Sequence, residues 1–305
     1  MQRLAEIRDH IKSVSGIRQV CRTMATVSSA KLSKAREQAL GLRVYSGRLR
    51  GLVERQQAAL VGARSDLASL SPLLVEPAAS RKLLVVAIGG DRGLCGGYNI
   101  AISRAVRAWA EERTTAGYEV AFAILGGRVE RYIRRLEAYE VQDVWLWPRQ
   151  GVTAELVDEL YELVSAAFMG GTADEVWCAY TQFISPVQRE PRVTRLLPIV
   201  AEARPYDETD ILTWVYEPDR DEAIREAVER LARAQVEDVI LESFASEHAA
   251  RMVTMEEASE RADKMLAELM VRANRVRRES VTADLLGVLV SKRVGRKAAS
   301  DVAKR

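Results

Sequence analysis

The sequence MVTMEEASERADKMLAELMVRANRV, residues 252–276, repeats apolar or small residues at alternating steps of three and four. The members of this series are Met252, Met255, Ser259, Ala262, Leu266, Leu269, Ala273 and Val276. Such spacing places one stripe along an α-helix and is typical of a coiled-coil seam. No proline follows Pro218. We therefore predict one helix from about Asp221 to Ser291, on the order of 100 Å long.

A helix of that length needs a packing partner, because it cannot bury its stripe alone. The N-terminus carries a matching series that Arg18 interrupts. Its members are Leu4, Ile7, Ile11, Val14, Cys21 and then Met24 or Ala25. We predict that the two ends of the chain form a long antiparallel coiled coil, with the first helix stopping at Ser71-Pro72. Two separate helical bundles are the alternative.

Between the helical ends the pattern changes to short apolar runs. The run 82–88 precedes Gly89-Gly90, and the run 119–125 precedes Gly126-Gly127. Continuous apolar runs of this length are typical of strands that are buried in a parallel sheet. Helical stretches follow both runs, so the sequence predicts βαβ units and an inserted α/β domain.

A further strand is predicted at 175–181, and residues 192–198 alternate in polarity like an antiparallel edge strand. The predicted fold class is therefore α/β, with an inserted α/β domain between the helices of the coiled coil. The predicted division is an N-terminal helix at 1–72, the α/β domain at 80–205, a C-terminal helix at 219–291 and a basic tail at 292–305.

The composition excludes several classes of protein. Of 305 residues, 48% are hydrophobic and 29% are charged, and no run of about 18 apolar residues occurs. The N-terminus is amphipathic and lacks an apolar signal core, so we expect neither secretion nor a membrane span. Three cysteines without CxxC spacing indicate reduced thiols in a cytosolic compartment.

The glycine-rich loop at 89–97 is the best candidate for a phosphate-binding loop, since it follows a strand and precedes a helix. It lacks both the Gly-Lys-Ser/Thr ending and the GxGxxG pattern, which favours a structural turn. Cys95 could act as a nucleophile only with a histidine, and His10 and His248 both lie in the helical ends. No zinc-site spacing occurs. We expect no cofactor, no metal site and no catalytic residue.

Two charged clusters are more simply interpreted as surface residues than as catalytic or ligand-binding sites. The acids Glu256, Glu257, Glu260 and Asp263 are predicted to lie on the outer face of the helix. A basic patch combines Arg272, Arg275, Arg277 and Arg278 with Lys292, Arg293, Arg296 and Lys297. It could bind nucleic acid or acidic protein loops, or be solvated, but no aromatic residue for base stacking occurs after Phe244.

Several motifs resemble one family over nearly the whole chain. The segment DRGLCGGYN at 91–99 resembles the DRGLxGGxN motif of the gamma subunit of F-type ATP synthases. SEHAARMVTM at 246–255 is similar to that family's SEHxARMxAM motif. Residues 7–32 resemble its first helix, and YEPD at 216–219 resembles the motif before its last helix.

This resemblance implies a rotor with no active site: a coiled coil inside a ring of three alpha and three beta subunits, with an inserted Rossmann-like domain near the membrane. The other implied partners are the epsilon subunit and the membrane ring of c subunits, with no nucleic acid and no lipid anchor. The implied location is the cytoplasmic face of a bacterial inner membrane, as a peripheral protein. A transit peptide and the photosynthetic regulatory insertion are absent, which suggests a bacterial complex.

The resemblance also implies contacts with partner subunits. The implied contact residues are Met24, Lys31, Asp91, Arg92, Gly93, Arg251, Met255, Arg277, Arg278 and Thr282. Arg278 stands where the family usually has a glutamine, and the tail to Arg305 extends beyond the usual end. Rival hypotheses are a Rossmann-type enzyme with a coiled-coil dimerisation arm and a basic coiled-coil adaptor for nucleic acid.

Overall fold

A computed structural model describes residues 2–62, 71–77, 80–200, 217 and 219–302. The elements in chain order are α1 (Gln2–Gly62), a short 3-10 helix (Pro72–Leu74), β1 (Lys82–Ile88), α2 (Tyr98–Thr115), β2 (Glu119–Leu125), α3 (Gly127–Arg134), β3 (Glu140–Trp145), α4 (Ala154–Met169), β4 (Glu175–Phe183), β5 (Arg189–Leu197) and α5 (Arg220–Val302).

The chain forms two compact units. The helical unit combines Met1–Thr26 with Met255–Arg305, and the sheet unit is Val27–Thr254. Both α1 and α5 contribute residues to each unit. The sequence predicted a division at 72, 80, 205 and 219, whereas packing groups the start of α1 with the end of α5.

In the helical unit, α1 and α5 pack antiparallel along the predicted seam. One cluster buries Ile7, Val14, Ala262, Leu266 and Leu269, with Ile11, Ala273 and Val276 packed against it. A second cluster buries Cys21, Ala25 and Met255, with Met24 and Ala258 at its border. Because low numbers on α1 meet high numbers on α5, the predicted antiparallel coiled coil is confirmed.

A polar layer explains why Arg18 interrupts the seam. The Arg18 guanidinium donates to Asp263 Oδ1 at 2.8 Å, and Arg22 reaches Asp263 Oδ2 at 2.7 Å and Ser259 Oγ at 3.2 Å. The hydrogen bond from Arg18 lowers the pKa of the Asp263 carboxyl. The prediction that Asp263 lies on the outer face was therefore wrong, because its carboxylate joins the two helices. Glu256, Glu257 and Glu260 are exposed, as predicted.

The sheet unit contains a five-stranded sheet in the order β3-β2-β1-β4-β5. Strands β3, β2, β1 and β4 are parallel, and β5 pairs antiparallel with β4 at the edge. The predicted parallel sheet and its antiparallel edge strand are confirmed. Six of the seven residues of β1 are buried, as expected for a central strand that is covered on both faces.

Helices cover both faces of the sheet. On one face, Ile102, Val106 and Ala110 of α2 pack with Val129 and Ile133 of α3. On the other face, α4 packs together with Val53 of α1 and the start of α5, from Ile224 to Ile240. The predicted inserted domain at 80–205 is thus not complete by itself, because the terminal helices supply part of its core.

The ends of the two long helices compare differently with the predicted ends. Helix α1 is described as far as Gly62, and residues 63–70 lie outside the described residues. At the predicted stop, Ser71 caps the short 3-10 helix that begins at Pro72. Helix α5 runs to Val302 and does not end at Ser291, so the predicted basic tail is helical as far as it is described. Within the described ranges, none of the helices combines the length and apolar composition needed to cross a bilayer.

Leu266 and Met265 are neighbours on α5 with opposite environments, exposed to 5% and 46% respectively. We expect Leu266→Ala to lower the free energy of unfolding by about 2–4 kcal/mol, because it leaves a cavity in the seam. Met265→Ala should change it by less than about 1 kcal/mol. Helical ellipticity followed during urea unfolding measures both. Equal effects of the two changes would contradict the observed seam.

Candidate functional site

The carboxyl edge of the sheet is the candidate site, because open parallel α/β sheets bind their ligands at that edge. The glycine loop that follows β1 lies here, together with the turn between β2 and α3. In the sheet unit, this edge contacts the Ser243–Thr254 segment of α5. We call the contact between Gly89–Asn99 and Ser243–Thr254 the carboxyl-edge joint.

Glycine allows two backbone turns to approach each other at this edge. A Cβ on Gly126, which has a φ of +118°, would lie 2.3 Å from the Gly89 carbonyl oxygen. A Cβ on Gly89 would lie 2.2 Å from Cγ2 of Val129. No other residue fits at such distances. The glycine pairs that end β1 and β2 therefore serve close packing.

Asp91 fills the position at which a ligand anion would bind. Its Oδ1 accepts the backbone N–H of Gly127 at 2.9 Å, at the first turn of α3, and its Oδ2 accepts that of Trp147 at 2.8 Å. The Trp147 indole N–H donates to the Gly89 carbonyl oxygen at 2.6 Å. A helix N-terminus attracts anions, and here the protein supplies its own carboxylate.

Asn99 binds two backbone groups of the glycine loop. Its Oδ1 accepts the Gly90 N–H at 2.8 Å, and its Nδ2 donates to the Arg92 carbonyl oxygen at 3.1 Å. These bonds tie the start of α2 to the end of β1. The Gly90 amide, which a phosphate could bind, is thus occupied by a side chain of the same chain.

Helix α5 closes the edge from the other side. The Tyr98 hydroxyl lies 2.8 Å from Ser243 Oγ, and Ser246 Oγ donates to the Thr181 carbonyl oxygen at 2.9 Å. Glu247 lies directly against the loop, since a Cβ on Gly90 would be 2.8 Å from its carboxyl carbon. Cys95 and Tyr98 pack with Ala250. The two motifs that resemble the gamma family therefore contact each other.

Three charged or titratable side chains of α5 are buried in the joint: Glu247, His248 and Arg251. Arg251 pairs with the Glu247 carboxylate and also lies 3.4 Å from Nδ1 of His248. Burial raises the pKa of the Glu247 carboxyl, and the Arg251 charge opposes that shift. Burial lowers the pKa of His248 to about 3, and the charges of Arg251 and Lys31 act in the same direction. The imidazole is therefore neutral at physiological pH.

The other reactive groups of the joint are not activated. Burial raises the pKa of the Cys95 thiol, and Glu247 acts in the same direction. Burial likewise raises the pKa of the Tyr98 hydroxyl. A nucleophilic cysteine needs a lowered pKa, so this environment opposes catalysis by Cys95. Among the described residues, no group of three or more His, Cys, Asp or Glu side chains is placed to hold a metal ion.

In the sheet unit, the contact residues implied by the resemblance lie in different environments. Arg92 is exposed, and Lys31 is half-buried with its Nζ 3.3 Å from the Arg149 carbonyl oxygen. Asp91 and Gly93 are half-buried, and the Asp91 carboxylate is used internally. Arg251 is only 7% exposed and is paired with Glu247. Its predicted direct contact with a partner does not fit, because its charge is neutralised inside the unit.

In the helical unit, Arg277, Arg278 and Thr282 are exposed on α5. Met24 is half-buried at the border of the seam. Met255 is 4% exposed and belongs to the core of the seam, so a direct contact with a partner does not fit there either. The basic patch predicted at 272–278 is exposed, and the side chains of its second half, Lys292 to Lys297, lie outside those described.

Several residues at the carboxyl edge of the sheet were missed in the sequence, and so was one ion pair in the helical unit. Trp147 and Ser243 belong to no recognised motif, and no pattern in the sequence indicates their contacts with Gly89 and Tyr98. Asn99 ends the glycine-loop motif, and its position directly after a turn was a usable signal for an amide that binds backbone groups. The pairing of Arg18 with Asp263 was signalled only by the interruption of the seam.

Comparisons with known proteins agree over most of the chain. A family model described as ATP synthase matches residues 3–291. The ATP synthase gamma chain of Anaeromyxobacter sp. (strain Fw109-5) is 35% identical over 293 residues, which cover 95% of this chain and 98% of that protein. The ATP synthase gamma chain of Geobacter sp. (strain M21) is 31% identical over 291 residues, covering 95% and 97%.

Solved structures share the fold. A chain of the Euglena gracilis mitochondrial ATP synthase, in a structure of OSCP/F1/c-ring, has a TM-score of 0.60 at 16% identity, covering 100% of this chain and 96% of that one. A chain of the Tetrahymena thermophila mitochondrial ATP synthase, from a structure of the central stalk and c-ring, has a TM-score of 0.57 at 19% identity, covering 79% and 99%.

Gly90→Ala should disrupt the joint, because the new Cβ would overlap the buried Glu247 carboxyl group. We expect a loss of about 1–3 kcal/mol in the free energy of unfolding, as for other overpacked cores. Gly97→Ala is the matched control, since a Cβ there meets nothing within 4 Å. Urea unfolding monitored by tryptophan fluorescence compares the two. A harmless Gly90→Ala would contradict the close contact.

The neutral His248 predicts a pH dependence of stability. Its folded pKa lies below the unfolded value of about 6.5, so its contribution to stability is complete above that pH and falls as the pH is lowered. Between pH 7 and 5 this loss reaches at most about 2 kcal/mol. Glu247 acts in the opposite direction, because burial raises its pKa.

The variant His248→Gln isolates the histidine term. It should lose less stability than the parent chain between pH 7 and 5, even though it is less stable at pH 7. Unfolding free energies from urea titrations at both pH values test this. Equal losses in the two proteins would show that His248 is not held neutral.

Proposed function

This chain belongs to the ATP synthase gamma chain family, and we propose that it is the central-stalk rotor subunit of an F-type ATP synthase. In this role it couples rotation of a membrane ring of c subunits to ATP synthesis or hydrolysis on the beta subunits. Ion flow turns the ring, and asymmetric faces of the rotating helix pair act on each beta subunit in turn. The chain itself has no active site.

The observation that carries this proposal is the filled carboxyl edge of the sheet. Asp91 occupies the Gly127 amide at the start of α3, and Glu247 lies against Gly90. A Rossmann-type enzyme would need this edge open for a nucleotide. Here the edge binds the chain's own last helix. The α/β fold therefore serves to anchor α5. This supports a mechanical role and argues against the hypothesis of a Rossmann-type enzyme.

Continuity of α5 supports the same role. The helix runs unbroken from Arg220 to Val302 and contributes to the cores of both units. In the sheet unit it is held by Ile224–Ile240 on the sheet face and by the carboxyl-edge joint. In the helical unit it is held by the seam with α1. We infer that this continuous hydrogen-bonded helix is the element that carries rotation.

The proposed partners are three alpha and three beta subunits, the epsilon subunit and the ring of c subunits. The two structural neighbours belong to a central stalk with its c-ring and to an OSCP/F1/c-ring assembly, which supports this set. Direct contacts are proposed for these residues, which are exposed or half-buried: Met24, Lys31, Arg92, Gly93, Arg277, Arg278 and Thr282. Asp91, Arg251 and Met255 instead act inside the chain, where they hold the carboxyl edge, the joint and the seam.

The exposed arginines of α5 indicate how the chain contacts its partners, and the bacterial origin of its relatives indicates where the complex lies. Exposed arginines at 277 and 278 can steer acidic loops of the surrounding ring and fix their register. The sequence relatives are bacterial ATP synthase gamma chains. We therefore propose a peripheral location on the cytoplasmic face of the bacterial inner membrane, where the chain is held through its partner subunits and without a lipid anchor.

Co-expression with the alpha and beta subunits of the same source tests the proposal. A tag on the beta subunit should recover an ATP-hydrolysing complex that contains this chain at about one copy for three beta subunits. Omission of the chain is the control and should abolish steady hydrolysis. The proposal fails if the chain stays out of the active complex. Tight nucleotide binding by the isolated chain would favour the rival enzyme, and steeply salt-dependent DNA or RNA binding would favour the adaptor.

A further inference from the structure

Glu242 of α5 is a buried acid that lies outside both the seam and the carboxyl-edge joint. The residue is only 5% exposed, and its two carboxylate oxygens bind two different elements. Oε1 accepts a hydrogen bond from the Arg43 guanidinium of α1. Oε2 accepts the backbone N–H of Phe183, the last residue of β4, at 2.7 Å. We call this arrangement the Glu242 bridge, and it connects α1, α5 and the sheet through one side chain.

Further contacts support the Glu242 bridge on its sheet side. Ser246 lies one turn after Glu242 on α5, and its Oγ donates to the Thr181 carbonyl oxygen at 2.9 Å. Two successive turns of α5 therefore bind the main chain at the carboxyl end of β4. The Arg36 guanidinium of α1 lies over the Phe183 ring, 5.4 Å from its centroid. Helix α1 thus reaches the end of β4 both directly and through Glu242.

Packing alone does not account for a carboxylate at this position. The contacts next to it are apolar, since Leu32 and Ala35 of α1 lie in one cluster with Leu241 and Ala245 of α5. Burying a charge is costly unless it is paired and hydrogen-bonded, and apolar side chains of similar volume are often as stable in its place. What the carboxylate adds is direction, because charge-assisted hydrogen bonds require a defined geometry.

Direction matters for a pair of helices that must turn together with a sheet. Apolar burial opposes separation of the surfaces, but it is non-directional and opposes a small twist less strongly. The two oxygens of Glu242 face partners on different elements. A rotation of the helices relative to β4 would therefore lengthen at least one of the two hydrogen bonds and weaken it.

We propose that Glu242 is a positioning residue for the transfer of torque. It fixes the angle of α1 and α5 relative to the sheet, so that the sheet and the helices packed on it turn as one body. Without the Glu242 bridge, part of each rotation is lost as twist between β4 and the helices. This inference rests on the proposed function, because the chain must transmit torque only if it rotates.

Angular fluctuation in single complexes tests this inference. The complex is assembled from this chain and the alpha and beta subunits, with the ring of alpha and beta subunits fixed to a surface. Cys21, Cys95 and Cys178 are buried, so a cysteine in place of the exposed Ala108 on α2 carries a bead selectively. While the complex waits for ATP, the variance of the bead angle is inversely proportional to the torsional stiffness between the ring and the sheet unit.

Methionine variants separate the hydrogen bonds from packing. Glu242→Met keeps an unbranched side chain of similar size, and we expect at least about a twofold larger variance because both charge-assisted bonds are lost. Arg43→Met removes the α1 side alone and should give a smaller increase. Glu226→Met is the matched control on α5, since Glu226 pairs with Arg230 within the same helix. Arg48→Met is the control for an exposed arginine of α1. Both controls should keep the variance of the parent chain.

The conservative variant Glu242→Gln retains one carbonyl acceptor and should give an intermediate variance. Parent-level variance in Glu242→Met, or an equal increase in Glu226→Met, would overturn the inference and leave the rotor function intact. Failure of Glu242→Met to enter a complex that the parent chain forms would also overturn it, because Glu242 would then be needed for folding or assembly. A parent chain that forms no rotating complex would contradict the proposed function itself.

Discussion

The contact between Glu247 and the glycine loop is the constraint on which the sheet unit depends. A buried carboxylate is costly unless it is paired, and Arg251 supplies the pairing charge one turn along α5. Gly90 leaves room for that carboxylate, and His248 stays neutral beside the guanidinium. Removing any one of these groups leaves another unpaired or overlapped. The long C-terminal helix is thus held to the sheet by an arrangement that tolerates little change.

Helix α5 is used twice, with a different physical basis in each unit. In the sheet unit it contributes apolar residues to the cover of one sheet face and polar residues to the carboxyl-edge joint. In the helical unit it forms a narrow seam of small and aliphatic residues, with Asp263 bridging Arg18 and Arg22. The apolar seam stabilises the pair, and the charged layer favours one alignment of the two helices. A rotor needs both firm attachment and fixed register.

The sequence predicted the location of the candidate site better than the roles of its residues. The glycine loop and the Ser246–Met255 motif were found in the sequence, and both lie at the joint or next to it. Arg251 and Met255 were predicted to touch partners, yet both are buried. The resemblance marks positions that matter without saying whether a side chain points inward. Trp147 and Ser243 had no signal, because their contacts join residues that are far apart in the chain.

The sequence alone determined the helices at both ends, the buried strands between them and the antiparallel seam, since each depends on the spacing of apolar residues along the chain. It also determined that the glycine loop lacks a phosphate-binding pattern. Only the tertiary structure decided that the start of α5 completes the sheet core, that Asp263 bridges the helices and that Arg251 is buried. Burial and pairing depend on which distant segments pack together. The spacing of apolar residues within one segment does not indicate which other segments contact it.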